Sequence, residues 1–180
     1  EGYFKNLKQV VWGGGEPTLD KSFELLVKEI NSHTSPEIYH RIFTNSVRYS
    51  ESLANFLKKG LVKIVTSIDA GTEETFKKVR GRSKFHEVFQ NLEKYSQINS
   101  NKITIKYILT DENKSEKELK SFVKTCVKFN LENCAFQISM DYKSSEIELD
   151  TIKKISYFIG ELKKNHIKKI FCDDHIARRF

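Results

Sequence analysis

The sequence is poor in the residues that punctuate or staple a chain. Two prolines and eight glycines in 180 residues leave no stretch that reads as a linker or a low-complexity tract, so one domain is expected. The three cysteines, Cys126, Cys134 and Cys172, are odd in number and widely spaced. That argues against a disulfide framework and makes a reducing, cytoplasmic setting the expectation. No apolar run approaches the ~20 residues of a membrane-spanning helix, and nothing reads as a secretory leader. The chain opens on Glu1 rather than methionine, which implies processing or excision from something longer. Neither charge sign dominates: 31 Lys and Arg stand against 24 Asp and Glu. Lysines and acids alternate on nearly every expected helix, as in Glu116, Lys117, Glu118 and Lys120, which is the pattern of a solvated face. The aromatics fall on core stripes rather than between cations, which sets a basic nucleic-acid-binding domain aside.

What is present is a core-forming inventory in a regular order. The apolar fraction is 38%, with 13 phenylalanines, enough for a globular fold. Periods of 2 and 3.6 alternate along the chain. Val10 to Trp12 reads as a strand, and a helix follows with Phe23, Leu26, Val27 and Ile30 on one face. Ile38 to Phe43 is the next strand; Leu53, Phe56 and Leu57 mark a helix that Gly60 ends. Val62 to Ile68 is the third strand. Thr72 caps a short helix, and Phe85, Val88, Phe89, Leu92 and Tyr95 share the stripe of a longer one. Ile103 to Thr110 alternates as a strand. Ser115 with Glu118 makes a capping box for a helix faced by Leu119, Phe122, Val123 and Cys126. Ala135 to Met140 is the fifth strand. The last helix starts near a second box, Ser145 with Glu148, and presents Leu149, Ile152, Ile155, Ile159 and Leu162. Strands alternating with helices predict βαβ crossovers and a parallel sheet, either closed as a barrel or open and doubly wound. In both, function sits at the C-terminal ends of the strands.

Those ends are informative. After the first strand, Gly13-Gly14-Gly15-Glu16-Pro17 lets the backbone approach a ligand closely, or makes a tight turn. It is neither a dinucleotide fingerprint nor a phosphate loop. Thr44 and Asn45 at the second strand end suit a sugar hydroxyl or an ordinary turn. Ser67 and Asp69 are two apart, so on a strand they share a face and offer a hydroxyl and a carboxylate to a ribose or an amine. Asp69 or Thr72 could equally cap the helix. Arg80 and Arg82 flank Gly81, a spacing suited to capturing a carboxylate or to closing a helix dipole. Asn113 follows the fourth strand.

In this order the segments resemble the radical S-adenosylmethionine (SAM) enzymes. Val10 to Pro17 looks like that family's Gly-Gly-Glu-Pro motif. Ser67 to Thr72, continuing through Phe76 to Arg80-Gly81, is similar to its fourth-strand segment, and Lys106 to Leu109 with Asn113 to its fifth. Thr44-Asn45 sits where the family has a Thr-Asn pair. The resemblance runs from about Val10 to Tyr142. It implies a partial parallel (βα) barrel, TIM-like, with five or so of the six βα units of a radical SAM core. Residues 143–171 would add the final helix and room for a strand, and 172–180 a loosely held tail. It also implies that the backbone of Gly14, Gly15, Glu16 and Pro17 holds the methionyl ammonium of SAM. Ser67 and Asp69 would face its ribose or methionyl end, Arg80 or Arg82 its carboxylate, and Asn113 would lie near the adenine and ribose.

The family's chemistry needs a C-x-x-x-C-x-x-C loop holding a [4Fe–4S] cluster, which cleaves SAM reductively to a 5′-deoxyadenosyl radical. No three cysteines here have that spacing. The cluster loop belongs upstream of the Gly-Gly-Glu-Pro strand, so the five strands would be the family's second to sixth. The parent protein is then expected to be an enzyme, and this chain by itself inactive and a weak SAM binder at best. The first strand, near Gln9 to Trp12, would expose an edge that invites a second copy of the chain. The competing expectation is a non-catalytic, barrel-derived binding or scaffold domain. The substrate stays open.

Overall fold

The computed structural model describes residues 7–20, 22–33, 38–81, 83–141 and 148–177. Strand and helix alternate in the order β1 (Gln9–Trp12), α1 (Ser22–His33), β2 (Tyr39–Phe43), α2 (Glu51–Lys58) and β3 (Val62–Ser67). Then come α3 (Glu73–Arg80), α4 (Phe85–Asn99), β4 (Ile103–Leu109), α5 (Glu116–Lys128), β5 (Ala135–Met140), α6 (Leu149–Lys164), β6 (Lys169–Cys172) and α7 (Asp174–Ala177). All six strands are parallel and neighbour one another in chain order, β1 to β6.

That order decides between the two architectures left open by periodicity. Every crossover steps the same way, and right-handed crossovers then place all the helices on one face. A doubly wound sheet would reverse its order part-way. The sheet is therefore a partial barrel with a helix-covered convex face and an open concave one. On the convex face Ile42, Ile64, Ile103, Ile105, Tyr107 and Phe136 are each at most 2% exposed. Phe122 of α5 stands edge-on to Tyr107, Phe136 and Phe158, at 4.8, 6.2 and 5.7 Å between centroids, joining β4, β5 and α6 through one aromatic cluster.

Local signals hold where local chemistry decides. Ser50 and Thr72 cap α2 and α3 by accepting from the amides of Leu53 and Thr75, and Gly81 ends α3 at φ 68°. Three expectations fail for tertiary reasons, the first being Leu26, read on the same face as Phe23 and Val27 but 47% exposed. Ser115 caps α5, but the Glu118 carboxylate does not reach back to complete the box. It turns to the α3 turn and accepts from the amides of Gly71 and Thr72 at 2.6 and 3.0 Å. Leu149 was expected on the core stripe of the last helix, yet it is exposed and Phe158 is buried there instead. Ser145 lies outside the described residues.

A sixth strand, β6, continues the sheet. The segment from Cys172, expected to be loosely held, goes on as far as Ala177 in α7, which buries Ile176 completely. β1 is an edge strand, and Val11, Leu25 and Leu26 on it and on adjoining α1 are exposed. No helix among the described residues is long and apolar enough to cross a membrane.

Candidate functional site

The C-terminal ends of β1 to β4 are tied together by a belt of polar contacts. Gly14 and Gly15 adopt φ of 86° and 108°, backbone that side chains resist, and this turn delivers Glu16 across to the next strand. The Glu16 carboxylate accepts from the Thr18 amide and hydroxyl at 3.3 and 2.6 Å, from the Thr44 hydroxyl at 2.8 Å and from the Asn45 amide at 2.6 Å. Pro17 opens the short 3-10 turn that Glu16 caps. Glu16 is thus a brace between the β1 and β2 ends, and Thr44 and Asn45 are the residues it holds.

Asn45, Ser67 and Arg80 line one cleft of about 210 Å3 with Val47 and Phe76. Its Asn45 wall is stiffened from behind. Ser46, at φ 54°, shares a hydrogen bond with the buried Thr66 hydroxyl at 2.7 Å, and Asn91 of α4 donates to the carbonyls of Ser46 and Val47. Gly13, Gly14, Glu16 and Pro17 line a different cleft, of about 190 Å3, with Trp12 and Phe23 toward α1, so the Gly-Gly-Glu-Pro turn and Ser67 border two clefts rather than one.

Ser67 and Asp69 do not share a face as strand alternation predicts. β3 ends at Ser67, and Asp69 has φ 56°, so the chain turns before the alternation reaches it. The Asp69 carboxylate, 4% exposed as a residue, accepts from the Ile108 amide at 2.7 Å and pairs with the Arg80 guanidinium. Asp69 therefore holds Arg80, and Arg80 reaches the cleft. Arg82 lies outside the described residues. Asn113 is fully buried: its amide group donates to the carbonyls of Asp69 and Ile108, both at 2.9 Å, and its oxygen accepts from the Thr110 amide. Its side chain is turned into the fold and braces the β3 and β4 ends. Sequence reasoning missed Glu118 and Asn91 as braces; each is polar and set on a core-facing stripe, the one signal available.

Burial raises the Asp69 carboxyl from 3.8 to about 6, against the opposing pull of Arg80, the Ile108 amide and Lys106. The folded protein thus holds this proton more tightly than the unfolded chain. The Asp69 contribution to stability is fully present below pH 3.8 and is lost as pH rises through about 6. At roughly 1.4 kcal/mol per unit, wild type is expected to lose about 2–3 kcal/mol against Asp69→Asn between pH 4 and pH 7. Chemical unfolding at both pH values checks this, and a difference flat with pH would refute it.

The Radical SAM superfamily matches residues 1–123, more than half of the chain. The chain belongs to the radical SAM superfamily. This radical SAM chain is 27% identical over 110 residues to the GTP 3′,8-cyclase of Haemophilus influenzae and 32% identical over 97 residues to that of Pasteurella multocida. These alignments cover 61% and 53% of the chain but only 32% and 28% of the two relatives. In fold it is similar to a domain of the pyruvate-formate lyase-activating enzyme of Bacteroides vulgatus, with a TM-score of 0.72 at 12% identity, covering 91% of this chain and 98% of that one. It is also similar to anSMEcpe solved with bound AdoMet and the Cp18Cys peptide, with a TM-score of 0.65 at 18% identity, covering 90% and 49%.

Proposed function

We propose that the chain is the SAM-binding part of a radical SAM enzyme whose complete form uses a [4Fe–4S] cluster to cleave SAM reductively and act on a substrate. The observation that carries the reading is the convergence of Asn45, Ser67 and Arg80 on one cleft, from the ends of β2 and β3 and the C-terminal end of α3. The cluster does not fit the described residues. Cys126 and Cys134 are fully buried, Cys172 ends β6, and no group of three or more His, Cys, Asp or Glu among them could hold a metal. No step is assigned to the cluster on this chain.

SAM itself fits better. It is a zwitterion with ribose hydroxyls, and when cleaved it supplies a 5′-deoxyadenosyl radical that removes a substrate hydrogen. Arg80, steadied by Asp69, offers the remaining donors of its fork to a carboxylate. Ser67 and Asn45 suit hydroxyls or the methionyl end, and the open backbone at Gly14 and Gly15 suits the ammonium. The buried Asp69 carboxylate, itself fixed by the Ile108 amide, ties the more exposed Arg80 guanidinium down at one end, so less side-chain freedom is lost on binding. The matched segment is about a third of the curated relatives' length or less and leaves the substrate open.

Without the iron that grips the methionyl group, this chain is expected to bind SAM only in about the millimolar range. Titration followed by amide NMR should shift the signals around Gly14–Glu16, Thr44–Ser46 and Ser67–Asp69, and Arg80→Gln should weaken the response about tenfold. Submicromolar affinity would overturn the expectation. So would an absence of shifts at about 10 mM SAM, or shifts confined to another face.

A further inference from the structure

The concave face carries a feature that the strand-end residues do not use. Register places Arg41 of β2 beside Lys63 of β3. Continuing the β3–β4 register downward from Val65 and Thr104 brings Lys102, just before β4, beside Lys63. Strands are about 4.8 Å apart, so three cations span roughly 10 Å in a row. The row lies about four residues, ~13 Å, below Asn45 along the strands. None of the three forms an ion pair among the described residues. Lys102 and Arg41 rest over the rings of Tyr39 and Phe43 at 4.8 and 5.2 Å. Three buried polar atoms on this same face lack partners among the described residues: the Gln137 Oε1 higher up the sheet and, nearer the row, the Arg41 Nε and the hydroxyl of Thr104, a residue with no exposed surface.

Like charges on neighbouring strands are destabilising, and among the described residues no carboxylate pairs with this row; only the Phe43 and Tyr39 rings face two of its cations. The Lys63 ammonium is pushed below its ordinary value by burial first and then by Arg41 and Lys102. An anion would relieve the repulsion and engage the orphaned Arg41 Nε and Thr104 hydroxyl together. A linear phosphate chain matches the row better than a compact carboxylate, because its charges repeat over a similar length and each group accepts several hydrogen bonds.

We infer that Arg41, Lys63, Lys102 and Thr104 form an anion site on the concave face for a small molecule carrying two or more linked phosphates. The site stands apart from the proposed SAM cleft; only the further step, that this molecule is the substrate, rests on the preceding reading.

The test is calorimetry of the chain with inorganic tripolyphosphate, at low salt and at about 0.15 M salt. Saturable binding is expected, weakened by salt and weakened at least tenfold in Arg41→Gln/Lys63→Gln. Lys58→Gln and Lys120→Gln, exposed on α2 and α5, should leave it unchanged. No binding, binding indifferent to the double substitution, or equal binding of citrate would overturn the proposal. A second readout separates a binding role from a structural one. Ligand-free Lys63→Gln should keep or raise the thermal midpoint, because repulsion is removed, and a drop of several degrees would overturn the proposal. If tripolyphosphate binds while SAM produces no response, the anion site stands and the cofactor reading falls.

Discussion

Gly71→Ala will lower the thermal midpoint by about 10 °C, the largest loss expected from any single methyl group in this chain. A Cβ at position 71 would lie 2.1 Å from the Glu118 carbonyl oxygen and 2.5 Å from the Phe122 nitrogen. Both atoms belong to the α5 backbone, so no flexible side-chain tip can yield. α5 would have to lift away from the β3–α3 turn, disturbing the aromatic cluster around Phe122 and the Glu118 bonds to the Gly71 and Thr72 amides. Overpacking of this kind costs about 3 kcal/mol or more, and a domain of this size loses roughly 2–4 °C per kcal/mol. Gly160→Ala is the control. It sits inside α6 with nothing within 4 Å, so alanine there should stabilise by about 0.5–1 kcal/mol. Melting curves of the two variants moving in the same direction would refute the account.

Glu16→Gln should open the β1–β2 strand ends without unfolding the domain. The carboxylate takes four hydrogen bonds with both oxygens. A glutamine keeps one oxygen and must turn an N–H₂ toward a donor on one side. The lost bond and the donor left unpaired together cost about 2–4 kcal/mol, enough to raise amide exchange at Asn45 at least tenfold. Exchange at Ile105 in the sheet centre should hardly change. Unchanged protection at Asn45 would show that Glu16 is not the brace described.

The same two positions show how much could be read before any coordinates. Gly14 to Pro17 was recognisable as a special turn because its chemistry is local: positive φ needs glycine, and proline stiffens the exit. That the Glu16 carboxylate braces two strand ends was not legible, since the partners that make it a brace, Thr44 and Asn45, stand 28 and 29 residues away. Ser67 and Asp69 were singled out as a pair, but the rule that put them on one face applies only while the strand lasts. Asn113 was picked out as lying near the adenine and ribose; its burial and three internal hydrogen bonds make it a brace. Arg41 and Lys63 were not singled out, although with Lys106 they fall on the period-2 face opposite the apolar one.

By itself the sequence determined the alternation of strand and helix, most of the caps, the apolar stripes that form the convex core, and the order of segments that marks the radical SAM family. These depend on periodicity and on contacts a few residues apart. Only the tertiary structure decided that the sheet runs in chain order, as the partial barrel implied by the family resemblance requires, that Glu118 and Asn113 are braces, and that three cations line up across neighbouring strands. Those outcomes depend on register and on which side chains meet across the sheet, and register is an energetic choice of the whole core that no short stretch of chain records.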